Sequence, residues 1–142
     1  DMVQGQAVDT LPAARPDIMD EAALFSMIDG KTGAMMAASL EMGAVAGGAS
    51  NLLPWRRFGL LLGRCFQIRD DQLDVSGTLE ELGKTPGKDA RQDKRSAPAV
   101  LGERLGETLR LLHEQALQAA GGLPWAADFF RHAATMAIQR TK

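Results

Sequence analysis

The sequence has no tyrosine, one cysteine and two histidines among 142 residues, and its formal net charge is -2. A single cysteine, Cys65, excludes an internal disulfide framework and points to a reducing compartment. The two histidines, His113 and His132, are far apart and offer no metal-ligand spacing; both read as surface or packing side chains. The near-neutral charge supplies no basic field for nucleic acid or an anionic membrane. No apolar run reaches the ~18 residues of a membrane span, because Glu41 and the arginines interrupt the candidates. The opening residues show no secretory leader pattern, so the expected location is the cytoplasm. The strict apolar–polar alternation of a half-buried strand is also missing.

What is present favours helix. The chain is 45% hydrophobic and 24% charged, rich in Ala, Leu, Met, Gln and Glu. It opens "DMVQGQAVD", with Asp1 before Met2, and reads as the inside of a longer chain. Residues 1–9 suit the end of a helix, and "TLPAARPD" a loop broken by Pro12 and Pro16. Asp17 is the expected cap of a helix over 18–29. A second helix is entered near Lys31 and fades at Gly47 and Gly48. A long helix covers 52–75, starting around Pro54, a favourable residue for a first turn. Residues 77–96 form a charged loop containing Gly and Pro. Two further helices fit 98–120 and 124–140, separated by "GGLP". With about five or six helices and no strands, the expected fold class is an all-α bundle.

The long helix carries the chemistry. At about 100° per residue, Gln67, Asp70, Asp71 and Asp74 fall within an arc of roughly 100°. Phe58, Leu61, Leu62, Cys65, Phe66, Ile68 and Leu73 take the opposite side. A solvated acidic face is the simplest account. Against it, the arc lacks interspersed lysines and glutamates apart from Arg64, and like charges one turn apart repel by a few tenths (~0.3) of a kcal/mol. A divalent cation reverses that sign. Asp70 and Asp74 lie one turn apart, so both carboxylates can face one site, and hard cations such as Mg²⁺ want such oxygens. Gly59 and Gly63 beside the arc suit either room for a ligand or close helix packing. Lys84, Lys88, Arg91, Lys94 and Arg95 follow in the charged loop. Alone they are surface; beside a carboxylate–metal site they become a clamp for a polyphosphate.

These residues carry a resemblance. "FQIRDDQLDVSG" resembles the second aspartate-rich motif, FQxxDDxxD followed by a D-x-x-G turn, of the all-trans isoprenyl diphosphate synthases, the polyprenyl synthetase family of farnesyl and geranylgeranyl diphosphate synthases. "LGKTPGKD" resembles the lysine-bearing segment after it. "GKTGAMMAASLEMGAVAGGA" resembles the family's K-T helix, and "MVQGQAVD" its G-Q-x-x-D helix. Order and spacing match from Met2 to about Gly102.

The resemblance implies an isoprenoid-synthase-type helical bundle. It implies a Mg²⁺-dependent trans-prenyltransferase that condenses an allylic diphosphate with isopentenyl diphosphate. By the same resemblance, Asp70 is the direct metal ligand, while Asp71 and Asp74 support the metal's water shell. Lys31 and Lys84 bind the allylic diphosphate, Lys94 touches diphosphate, and Thr32 and Gln67 lend oxygens near the developing cation. Capping and interhelix hydrogen bonding is the plain alternative for Thr32 and Gln67.

Two departures stand out. The family's "GK-x-TYP" reads "DKRSAPAVLG", with Asp93 for glycine and Ala97 for tyrosine. The first aspartate-rich motif and the basic residues that hold isopentenyl diphosphate are absent. The expected domain is therefore the C-terminal half of one synthase, residues 1–142. A homodimer, or the N-terminal half in another segment, is the expected protein partner, with no nucleic acid and no membrane span. A non-catalytic subunit of a heteromeric synthase and a related terpene cyclase are the alternatives. Elsewhere, Cys65 reads as a buried thiol, Met35, Met36 and Met42 as core, and Trp55 and Trp125 as packing anchors. Gly43, Gly47 and Gly48 suit close helix contacts or a subunit interface, and the helix over 105–120 reads as scaffold.

Overall fold

The computed structural model describes residues 19–76 and 96–141. Among them every regular element is helical, as expected. Six α-helices follow in chain order: α1 Glu21–Ile28, α2 Ala34–Ala46, α3 Leu53–Ser76, α4 Ala97–Leu101, α5 Leu105–Gly121 and α6 Ala127–Gln139. The loop expected over 77–96 lies outside the described residues apart from Ser96, as do Lys84, Lys94 and the opening helix.

The local starts and stops differ from expectation in four places. α1 begins at Glu21, not near residue 18. Asp20 caps it, accepting the Ala23 N–H at 2.8 Å, a competent cap closer to the first buried residue, Leu24. There is no break before Lys31. Asp29–Gly33, "DGKTG", is a π-turn flanked by helical backbone at Ile28 and Ala34, so α1 and α2 run on through it. The expected helix over 98–120 is divided. Gly102 takes φ 54°, ψ -128°, a region open essentially to glycine, and a 3-10 turn Gly102–Arg104 leads into α5. α6 starts at Ala127, after Trp125 has folded back onto Trp55 with ring centroids 4.9 Å apart.

α3 is the central element, packed against the π-turn, α2, α5 and α6. Its apolar side does what the helical period demands: Trp55, Phe58, Leu61, Cys65 and Ile68 are buried. Phe130 of α6 meets Trp55 and Phe58 edge-on at 5.5 and 5.4 Å. Leu109, Leu112, Ala116 and Ala120 of α5 complete this core. Such burial is the main stabilising contribution, about 2 kcal/mol for each large side chain.

The other flank of α3 is closed by backbone. A Cβ on Gly63 would lie 2.6 Å from the Gly33 Cα, and one on Gly59 would lie 2.5 Å from the Ala37 Cα. Of the two readings of these glycines, close packing is the one observed. The core expectation fails for Met35 and Met42, while Met36 is half-buried. Met35 and Met42 are 51% and 67% exposed, and with Val45 they form an outward stripe on α2. The inward side of α2 is taken by the small residues Ala37 and Ala44, because contact with α3 at backbone distance leaves no room for a methionine. Gly43 has nothing within 4 Å of its Cβ position, and Gly47 instead receives the Trp125 ring, 3.1 Å from its Cβ position.

Candidate functional site

The π-turn widens one helical turn by a residue, a feature often found at functional sites. It carries Lys31 and Thr32, and the glycine contacts hold it against the middle of α3. Arg64 fixes its start. The guanidinium donates from Nε to Asp29 Oδ1 at 2.7 Å and from Nη2 to Oδ2 at 2.6 Å. It also lies 4.9 Å from the Phe25 ring centroid. The hydrogen bond to Asp29 pushes the Arg64 pKa up, against the opposing effect of burial.

From this turn a chain of hydrogen bonds runs to the aspartates. Buried Thr32 donates from Oγ1 to Gln67 Oε1 at 2.8 Å. Gln67 Nε2 donates to Asp71 Oδ1 at 2.9 Å. Asp71 Oδ2 accepts the Ala97 N–H at 2.8 Å. Ala97 opens α4, whose own cap residue, Ser96, makes no side-chain cap bond. Asp71 thus supplies the cap from another helix. Burial pushes its pKa up; the bonds from Ala97 and Gln67 oppose that, and Asp70 and Asp74 add to it.

Asp70 points elsewhere. It pairs with the guanidinium of Arg140, at the end of α6, and Arg140 stacks 4.2 Å from the Phe66 ring centroid. The Arg140 carbonyl accepts from Arg69 Nε at 3.2 Å and Nη2 at 3.1 Å. Asp74, one turn on, is exposed. Among the described residues, no three His, Cys, Asp or Glu side chains form a group able to hold a metal ion.

Of the residues singled out from sequence, the structure brings Thr32, Gln67 and Asp71 into one bonded chain, with Lys31 in the same turn; for Thr32 and Gln67 this is the interhelix hydrogen bonding that was the plain alternative to a site role. Asp70 and Asp74 share that end of α3 but not the chain. Sequence reasoning missed Arg140, Asp29 and the Arg64 clamp. Asp29 and Arg64 are 35 positions apart and Asp70 and Arg140 are 70 apart. Neither pair has a local sequence pattern that announces it. His113 contacts Thr135 at 3.3 Å and His132 is exposed, as expected for packing and surface residues. Cys65 is buried and its thiol is pushed up to about 12 by burial. Two open concavities of about 310 and 380 Å³ lie along the first half of α3, lined by residues such as Leu53, Arg57 and Gln115. Neither is at the aspartate end. No described helix is long and apolar enough to cross a membrane.

Comparison with known proteins identifies the family. The family model described as Polyprenyl synthetase matches residues 1–120. A dimethylallyltranstransferase of Fischerella ambigua is 42% identical over 100 residues, covering 69% of this chain and 29% of that protein. A chloroplastic geranylgeranyl pyrophosphate synthase of Capsicum annuum is 37% identical over 124 residues, covering 85% of this chain and 33% of that protein. A (2E,6E)-farnesyl diphosphate synthase of Mycobacterium tuberculosis is 37% identical over 103 residues, covering 70% of this chain and 28% of that protein. The chain spans about a third of the length of these curated relatives. With a family match over residues 1–120 and these identities, the chain belongs to the polyprenyl synthetase family.

Proposed function

We infer that this chain is part of a Mg²⁺-dependent trans-prenyltransferase, which condenses an allylic diphosphate with isopentenyl diphosphate into a longer isoprenyl diphosphate. The observation that carries the reading is the Thr32–Gln67–Asp71 chain. It joins the K-T turn to the FQxxDD segment, the two motifs that a diphosphate site of this kind needs on one wall. The relatives named as geranylgeranyl and farnesyl diphosphate synthases support the same reaction class.

The donor set suits a hard divalent cation. Asp70 is 39% exposed and already accepts a cationic partner, Arg140, while Asp74 offers a second carboxylate one turn away. When bound there, the metal supplies positive charge opposite the diphosphate that leaves. Asp70 and Asp74 would hold it, and Asp71, committed to Gln67 and Ala97, would orient the helix end. Lys31, and Lys84 and Lys94 from the following segment, would bind the diphosphate oxygens. Thr32 and Gln67 would present oxygens towards the allylic carbon as positive charge develops. The isopentenyl double bond attacks that carbon, and the proton released leaves with the departing pyrophosphate. The expected setting is the cytoplasm, with a homodimer or a further segment completing the site.

The test is product formation from radiolabelled isopentenyl diphosphate and an allylic diphosphate, with and without Mg²⁺, by the protein that contains these residues. Asp70→Ala is expected to lower turnover at least about 100-fold. Near-normal turnover of that variant would sink the assignment of Asp70. Turnover only after a partner chain is added would favour the subunit reading.

A further inference from the structure

Arg140 is the C-cap of α6, and its backbone N–H donates to the Met136 carbonyl at 3.2 Å. Its own carbonyl is gripped by both the Nε and Nη2 of Arg69. The fork of Arg69 is in turn fixed by donation from Nη1 to Gln72 Oε1 at 2.7 Å. With its backbone held on both sides, the Arg140 side chain runs over the Phe66 ring and delivers its charge to Asp70. Two features mark this as more than a surface ion pair. The Arg140 side chain is only 21% exposed, against 58% and 62% for the arginines of the α5 and 3-10 surface pairs. Its Nε is buried with no hydrogen-bond partner among the described residues. Among the described residues, Asp70 is the only carboxylate that this guanidinium meets.

Asp70 lies beside Asp71 and one turn from Asp74, where three like charges repel. The cation that the structure sets against Asp70 is Arg140. We propose that Arg140 is an internal counter-cation for Asp70: it occupies the carboxylate in the metal-free protein and yields it when a divalent cation binds. This rests on the proposed metal role of Asp70 and adds to it the exchange of one cation for another. Phe66 gives the displaced guanidinium a surface to stay on, since stacking on a ring does not require the carboxylate.

The exchange has measurable consequences in the full protein with Mn²⁺ alone as probe. Arg140→Gln removes the competitor, so Mn²⁺ affinity, read by electron paramagnetic resonance of the free ion, rises about three- to tenfold. Arg140→Lys keeps the charge and returns affinity to within about twofold of the original. A merely structural Arg140 would make the lysine variant, which loses the planar fork, resemble the glutamine variant. A second readout needs no variant. Phenylglyoxal labelling of Arg140, measured by mass spectrometry relative to Arg69, is slow in the free protein and several-fold faster with Mn²⁺. Equal or weaker Mn²⁺ binding by Arg140→Gln, or labelling that Mn²⁺ leaves unchanged, overturns the exchange while the metal role stands. If Asp70→Asn leaves Mn²⁺ affinity unchanged, the metal role itself fails and the exchange falls with it.

Discussion

Replacing Gly63 with alanine tests how the site wall is built. The new Cβ would sit 2.6 Å from the Gly33 Cα and 2.9 Å from its nitrogen. Carbon atoms settle at about 3.5–4.0 Å, so α3 and the π-turn must part by about 1 Å. The neighbour is backbone, which cannot swing aside as a side chain tip would. The same movement stretches the Thr32–Gln67 bond from 2.8 Å towards the limit of a hydrogen bond. Overpacking costs about 1–3 kcal/mol, and the weakened bond about 1 more. Alanine returns about 1 kcal/mol of helix propensity. The net expectation is a loss of about 1–3 kcal/mol, or a Tm lower by roughly 3–10 °C. Gly43→Ala is the matched control. It lies inside α2 with nothing within 4 Å of its Cβ position, so it gains about 0.5–1 kcal/mol. Urea unfolding followed by circular dichroism reads both. If the two variants shift in the same direction, α3 does not meet the π-turn at backbone distance and the account of the wall is wrong.

Three further outcomes follow from the same packing. Cys65, buried and pushed up to about 12, should resist a thiol reagent at pH 8 in the native protein and react at once in urea; rapid native labelling would contradict its place in the core. Asp71 has its pKa raised by burial, so its contribution to stability is present at low pH and lost as pH rises through the folded pKa. The stability of Asp71→Asn relative to the original should therefore improve as pH rises from about 4 towards 7 in metal-free buffer, and a difference that is flat or falls with pH would refute the sign. Asp29→Ala leaves the half-buried Arg64 fork unpaired and should lower stability by about 1–2 kcal/mol, with faster amide exchange in the π-turn as the specific readout.

Much of this was legible in the sequence because it is periodic or local. The apolar side of α3, from Phe58 to Ile68, follows from helical spacing, and Cys65 falls into the core with it. The motifs around Lys31 and Asp70 are contiguous and keep their order. What was not legible depends on contacts across the fold. Gly59 and Gly63 admit a ligand or a backbone equally well until the partner helix is known. The π-turn leaves no mark, since "DGKTG" reads as a helix break when the helices beyond it are unknown. Met35 and Met42 have core composition but stand outward, because α2 meets α3 through alanine and glycine. Asp70 meets Arg140, and Asp71 meets Ala97, across separations that no local pattern encodes.

On the proposed function, the π-turn and the aspartate end of α3 form one wall of a metal-assisted diphosphate site. Calorimetric titration of the protein with inorganic pyrophosphate, with and without Mg²⁺, tests it most directly when repeated on Lys31→Gln and Asp70→Asn. The expected result is pyrophosphate binding that requires Mg²⁺ and weakens at least about tenfold in each variant. Binding that is independent of Mg²⁺, or untouched by both substitutions, would contradict it.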